Sequence, residues 1–126
     1  MPKIFIIDDE KDFLLTVTAW AQKKGYDITA FENADGFLES ILENKPELIL
    51  MDVNLQSGDG RLISEDIKKT LPFPVKIILI SGDPHTLIEY QHYYADGILN
   101  KPFEFAELEN KLKQHLNHKQ RPLVCK

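Results

Sequence analysis

Four short apolar runs, each followed directly by polar residues, constrain the fold of this chain more than any other feature. The runs occupy residues 3–7, 48–51, 75–80 and 97–99 and consist mainly of Ile, Leu and Val. Such runs are typical of strands in a parallel sheet buried on both faces, where ligands bind outside the carboxyl ends of the strands. We therefore expect the residues that follow the runs to meet at one edge of the sheet. These residues are Asp8, Asp9, Glu10, Asp52, Ser81, Gly82 and Lys101.

Between the runs, apolar residues recur at the spacing of an amphipathic helix. The predicted helices are 11–24, 34–43 (with Asn33 as N-cap), 59–71, 84–94 and 104–117. A more alternating stretch at 26–31 predicts a strand at the edge of the sheet. Strands that alternate with helices predict an α/β fold, (βα) five times over, with a five-stranded parallel sheet and helices on both of its faces.

Composition narrows the classes of function. A length of 126 residues fits one domain, which we place at 1–117, followed by a basic tail at 118–126 that we expect to be frayed. The net charge of -5 argues against direct binding of nucleic acid, which needs a basic surface. The single cysteine, Cys125, cannot form an internal disulfide, and no apolar run is long enough to span a membrane. These features predict a cytoplasmic protein with no membrane partner.

The acidic residues at the predicted edge suggest a site for a divalent cation. Asp8, Asp9 and Asp52 would crowd negative charge, which either raises a pKa or recruits a cation. Oxygen ligands with room for water suit Mg²⁺, and Glu10 is a weaker candidate ligand because it begins the first helix. Taken alone, an Asp at a strand end is equally well explained as a helix cap.

The other edge residues complete a cradle for a phosphoryl group. Lys101 supplies a positive point charge, Ser81 supplies a hydroxyl donor, and Gly82 leaves space for an oxygen-rich group. Asp52 is the predicted acceptor, since a carboxylate nucleophile forms an acyl phosphate. Taken alone, Ser81 is explained as a turn residue and Lys101 as a solvated surface charge. Because Lys101 lies on a loop rim, we expect its removal to change stability by no more than about 0.5 kcal/mol.

Two competing motifs fail. The stretch 52–63 begins like a calcium-binding loop, but its sixth position is Ser57 instead of glycine and its twelfth is Ile63 instead of glutamate. A flavin or dinucleotide site needs a loop rich in glycine or hydroxyl residues after the first strand. Here the loop at 8–12 is acidic and would repel a phosphate unless a cation lay between them.

Together, these residues resemble the response-regulator receiver domain of two-component phosphorelays, over about residues 3–117. The resemblance implies a flavodoxin-like sheet of order 2-1-3-4-5, with Asp8 and Asp9 as the acidic pair and Asp52 as the phosphoacceptor. It further implies that Ser81 and Lys101 bind the phosphoryl group and act as switch residues. It implies that the carbonyl of Asn54 is a metal ligand and that Asn54 and Asp83 tune the rate of hydrolysis. It also implies a cis peptide at Lys101–Pro102, which would aim Lys101 inward.

The chain departs from the family pattern in three places. Residues 56–58 replace the usual proline loop, Ile98 occupies the position of the usual aromatic switch residue, and residues 94–95 replace a Gly-Ala pair. The predicted fourth helix carries Tyr90, Tyr93 and Tyr94. In the family the face of helix four, strand five and helix five carries partner or dimer contacts, so these tyrosines suggest a partner face or a homodimer. The alternative is that they pack on the sheet.

Three functions are open to a site with these residues. The first is a stand-alone switch that accepts phosphate on Asp52 from a histidine kinase or a histidine phosphotransfer protein, with Mg²⁺, and signals through an unknown downstream protein. Such a switch is no enzyme beyond its own phosphorylation and dephosphorylation. The second is a degenerate receiver acting as a constitutive interaction module, which the intact site disfavours. The third is a small phosphatase of the haloacid dehalogenase type, which needs an Asp where Glu10 stands.

Overall fold

A computed structural model describes residues 1–116, so the predicted tail at 118–126 lies outside the described residues. Five strands form one sheet: β1 (Lys3–Ile7), β2 (Asp27–Phe31), β3 (Leu48–Asp52), β4 (Lys76–Ser81) and β5 (Gly97–Asn100). Their order is β2-β1-β3-β4-β5, and all neighbouring pairs are parallel. The predicted fold and strand order are therefore confirmed, with β2 at an edge.

Helices cover both faces of the sheet, because successive side chains of each strand point to opposite faces. Four helices are present in the described part of the chain: α1 (Lys11–Lys23), α2 (Phe37–Asn44), α3 (Gly60–Thr70) and α4 (Phe105–Leu116). Ile4 and Ile6 pack under α1 and α4, whereas Phe5 and Ile7 pack under α2 and α3. Both cores are almost fully closed to solvent, which fixes the strand ends relative to one another.

The second helix begins later than predicted. Asn33 does not cap it; its side-chain oxygen instead accepts the N–H of Asp35 at 2.9 Å in a local turn. The residue before the helix is Gly36, with φ at 70° in the left-handed region that favours glycine. The helix therefore spans Phe37–Asn44 instead of 34–43.

The predicted helix at 84–94 is wrong. Two separate 3₁₀ turns, Pro84–Leu87 and Tyr90–Tyr93, replace it, and Tyr94 follows with a left-handed φ of 63°. Leu87 is buried but Ile88 is 68% exposed, so the segment has no continuous apolar stripe to hold a helix against the sheet. Without that stripe, local bonds decide its backbone conformation.

A short antiparallel hairpin follows β3. Asn54–Leu55 pairs with Gly58–Asp59, and α3 begins directly after it. The side chain of Asp59 caps α3 by accepting the N–H of Arg61 at 2.9 Å. Within residues 1–116 none of the helices has the length and apolar character needed to cross a membrane.

Candidate functional site

The carboxyl ends of four neighbouring strands carry the predicted site residues. Asp52 and Ser81 are the last residues of β3 and β4, while Asp8 follows β1 and Lys101 follows β5. Asp8, Asp52 and Ser81 are only 2%, 7% and 0% exposed. Polar side chains are rarely this buried unless they are hydrogen-bonded, paired with a charge or functional. The contacts of each side chain therefore show what its burial serves.

Lys101 reaches across the edge to Asp8. Its Nζ lies 2.8 Å from Oδ2 of Asp8, and the other carboxylate oxygen accepts the N–H of Glu10 at 2.9 Å. The ammonium also lies 4.2 Å from the centroid of the Phe13 ring. Burial by itself would lower the pKa of Lys101, but the hydrogen bond to Asp8 and the nearby carboxylates raise the pKa overall. Lys101 is thus a charged, half-buried group, and its peptide bond to Pro102 is cis.

The carboxyl group of Asp52 is buried at the end of β3. Burial, followed by the negative charge of Asp8, raises the pKa of Asp52 to about 6. Lys101 and the N–H of Asn54 (3.4 Å from Oδ1) oppose that shift, and Asp9 adds to it. The site therefore holds more negative charge than its one lysine neutralises.

Asp9 and Glu10 stand outside this buried group. Oδ2 of Asp9 accepts the N–H of Gln56 at 2.8 Å and so ties the loop after β1 to the hairpin after β3. The Glu10 side chain is 68% exposed and 3.6 Å from Nζ of Lys101. In the part of the chain that the structure describes, no three carboxylate, imidazole or thiol groups form a ready-made metal cluster. The oxygen ligands still fit a hard cation, because the negative charges of Asp8 and Asp9 act on Asp52 and raise its pKa.

Ser81 belongs to a small ring of local hydrogen bonds. Its Oγ accepts the N–H of Asp83 at 3.0 Å and lies 2.8 Å from the hydroxyl oxygen of Thr86. The carbonyl of Ser81 accepts the N–H of Lys101 at 2.8 Å, which joins the ends of β4 and β5. Sequence reasoning missed Thr86, although a hydroxyl residue one turn beyond a strand end can bond back to it.

Two glycines at the site differ in what surrounds them. A Cβ on Gly82 would meet no atom within 4 Å, so open space lies beside it. A Cβ on Gly60 would collide with the carbonyl group of Asp52, and the N–H of Gly60 donates to the carbonyl of Val53 at 2.7 Å. Sequence reasoning missed Gly60; a glycine at the first position of a strongly amphipathic helix was the available signal.

The three tyrosines of the predicted partner face lie near α3. Tyr90 is partly buried against the core under α2 and α3. Arg61 lies over the ring of Tyr93 at 5.3 Å, and Lys69 lies over the ring of Tyr94 at 5.5 Å. Tyr94 is still 47% exposed. Asn54 and Asp83 are both exposed beside the site.

Comparison with known proteins gives one consistent family. The family model described as "Response regulator receiver domain" matches residues 4–113. The regulatory protein VanRc of Enterococcus gallinarum is 30% identical over 119 residues, which is 94% of this chain but 52% of that protein. The chain thus spans about half the length of this curated relative.

Solved structures agree in fold. A two-component response regulator from Clostridium difficile superimposes with a TM-score of 0.85 at 25% identity, covering 94% of this chain and 98% of that one. The response regulator TrrA from Thermotoga maritima, solved in complex with Mg²⁺ and BeF, gives a TM-score of 0.83 at 28% identity. That match covers 92% of this chain and 100% of TrrA.

Proposed function

This chain belongs to the family of response-regulator receiver domains of two-component systems, and on that premise we propose that it is a switch that accepts a phosphoryl group on Asp52. The observation that carries the proposal is the buried Asp52 carboxylate at the end of β3, within the field of Asp8 and Lys101.

The transfer step follows from the position of the carboxylate. An oxygen of deprotonated Asp52 attacks the phosphorus of a phosphohistidine, the new P–O bond forms as the P–N bond breaks, and the electron pair leaves with the imidazole nitrogen. Little covalent chemistry is asked of the protein in such transfers, so positioning and charge neutralisation suffice. The donor in this proposal is a histidine kinase or a histidine phosphotransfer protein.

Mg²⁺ is the proposed cofactor. Asp8, Asp9 and Asp52 would hold it with carboxylate oxygens, and the carbonyl of Asn54 would add a neutral ligand. When bound, the ion neutralises charge on the transferring oxygens. The excess negative charge around Asp52 supports this assignment, as does the complex of TrrA with Mg²⁺ and BeF. Because Oδ2 of Asp9 accepts the Gln56 N–H, its other oxygen, Oδ1, would serve the ion.

Lys101 and Ser81 bind the oxygens of the phosphoryl group in this proposal. Lys101 already points to the acidic edge, where it would form a charge-assisted bond to a phosphoryl oxygen. Ser81 would donate its hydroxyl proton to another oxygen, and Gly82 leaves open space for the group. Asn54 and Asp83 flank the opening at exposed positions, from which they would influence how fast water reaches the acyl phosphate.

The output of the switch is proposed to be a change of surface for a protein partner. A phosphoryl group adds roughly two charges and three strong acceptors, enough to bias a loop with two arrangements. The 84–94 segment begins at the Ser81 loop and carries Tyr90, Tyr93 and Tyr94. We propose this segment, where it meets α3, as the face for a downstream protein or a second copy of the chain.

Mass spectrometry of the intact protein after incubation with acetyl phosphate and Mg²⁺ tests the proposal. We expect one added phosphoryl group, no addition in Asp52→Asn, and an unchanged addition in the control Asp27→Asn, which alters an exposed carboxylate on β2. Uptake by Asp52→Asn at the wild-type rate would refute the acceptor assignment. Equal uptake in the presence of a chelator would refute the metal role.

A further inference from the structure

The hydroxyl of Thr86 is placed to interact with Ser81 and with the backbone carbonyl of Asp83. Its oxygen lies 2.8 Å from Oγ of Ser81 and 2.7 Å from the carbonyl oxygen of Asp83. The N–H of Thr86 donates to the same Asp83 carbonyl at 3.0 Å. Thr86 is half-buried in the first 3₁₀ turn, so both of its bonds to Asp83 hold its hydroxyl beside Ser81.

Proton counting shows what this ring does to Ser81. Each hydroxyl has one proton to donate. If Thr86 donates to the Asp83 carbonyl, it accepts the proton of Ser81; if Thr86 donates to Ser81, the Ser81 proton goes to the Asp83 carbonyl at 3.3 Å. In both arrangements the single proton of Ser81 is used inside the ring. A phosphoryl oxygen on Asp52 must therefore compete with the Thr86 oxygen or the Asp83 carbonyl for that proton.

We propose that Thr86 is a positioning residue that competes with the phosphoryl group for the hydroxyl of Ser81. This inference rests on the proposed function, because it takes Ser81 as a donor to a phosphoryl oxygen on Asp52. When Ser81 turns toward that oxygen, its contact with Thr86 breaks while Thr86 keeps the Asp83 carbonyl as partner. Thr86 therefore sets how readily the switch closes, and it links that event to the 3₁₀ turn that contains it.

The test measures the affinity for beryllofluoride in the presence of Mg²⁺ by titration of backbone amide NMR signals. Thr86→Val keeps the shape of the side chain but removes its donor and acceptor. We expect Thr86→Val to bind beryllofluoride about twofold to tenfold more tightly than the wild type. The reason is that the Ser81 hydroxyl no longer has to give up a hydrogen bond to Thr86 when it turns toward the ligand. Thr86→Ser keeps the hydroxyl and should bind beryllofluoride like the wild type. Thr29→Val, an exposed threonine on β2, is the matched control and should also bind like the wild type.

The same titration in a Ser81→Ala background separates positioning from a general structural effect. There Thr86→Val should change nothing, since the group it acts through is gone. Equal affinities of the wild type and Thr86→Val would overturn the inference, and so would tightening that persists in Ser81→Ala. If circular dichroism shows Thr86→Val to be unfolded, Thr86→Ala carries the same expectation. Failure of the wild type itself to bind beryllofluoride would overturn the proposed function and this inference together.

Discussion

On one side of the site, the side chain of Lys101 bonds to Asp8 across 93 positions of sequence, whereas on the other side the hydroxyl of Ser81 bonds only to residues within five positions of it. We call these the carboxylate side (Asp8, Asp52 and Lys101) and the hydroxyl side (81–86). The carboxylate side is built from the ends of β1, β3 and β5, which the two cores hold in place. The hydroxyl side leads into two 3₁₀ turns, of which only Leu87 is fully buried.

The difference assigns different tasks to the two sides. Long-range contacts between packed strands give a fixed geometry, which a phosphoryl acceptor and its charges require. Short-range bonds in a segment with few buried groups are the kind that open at low free energy. We therefore expect the carboxylate side to determine stability and charge, and the hydroxyl side to change conformation.

The largest expected effect comes from comparing one glycine on each side. In Gly60→Ala the new methyl group would press on the backbone of Asp52, so the chain must shift, at a cost of about 3 kcal/mol in the free energy of unfolding. Gly82→Ala is the matched control, because its methyl group would enter open space and should change that free energy by less than about 0.5 kcal/mol. Urea denaturation of both variants measures the difference; equal costs would contradict a tightly packed carboxylate side.

The next effect concerns the charge of Asp52 without metal. Its pKa of about 6 in the folded protein, against 3.8 ordinarily, means that the folded state binds more protons than the unfolded chain between these values. Stability should therefore fall as pH rises from about 4 to about 6. Asp52→Asn removes this dependence and should stabilise the protein by about 2 kcal/mol at pH 7 in chelator, with little gain below about pH 4. Denaturation across this pH range checks the prediction, which fails if the two stability curves run parallel.

A smaller effect is expected from Lys101→Met. From the sequence we expect the loss of Lys101 to cost no more than about 0.5 kcal/mol, as at an ordinary surface site, but its ammonium is paired with the buried Asp8. Its removal leaves one Asp8 oxygen without that partner, while the Glu10 N–H still serves the other oxygen. We expect a loss of about 1–2 kcal/mol in the free energy of unfolding and no amide response to beryllofluoride. Lys11→Met, at an exposed position on α1, should neither lower the free energy of unfolding nor abolish the amide response. A normal response to beryllofluoride in Lys101→Met would contradict the proposed role of Lys101.

The sequence predicted the carboxylate side well and the hydroxyl side poorly, for a physical reason. Continuous apolar runs mark buried parallel strands, and the ends of such strands must lie together, so Asp8, Asp52 and Lys101 could be placed in advance. The ion pair between Lys101 and Asp8 could not be predicted, because the spacing of residues along the chain does not show which carboxylate Lys101 contacts.

Local competition decided the regions that were missed. At 84–94 the spacing of Leu87, Ile88 and Gln91 suggested a helix, but only Leu87 became buried and the backbone took 3₁₀ turns. The bond from Thr86 to Ser81 belongs to that local geometry and has no signature in hydrophobic periodicity. Gly60 was missed because its role lies in the close approach of the first residue of α3 to the backbone of Asp52 at the end of β3, which spacing along the chain does not report.

Hydrogen exchange of the backbone amides with and without beryllofluoride and Mg²⁺, in the wild type and in Ser81→Ala, tests the contrast between the two sides most directly. The wild type should change its exchange rates at residues 81–94 more than in β5, and Ser81→Ala should lose the change at 81–94. The contradicting result is a change confined to residues 52–60, or a change at 81–94 that is the same in Ser81→Ala.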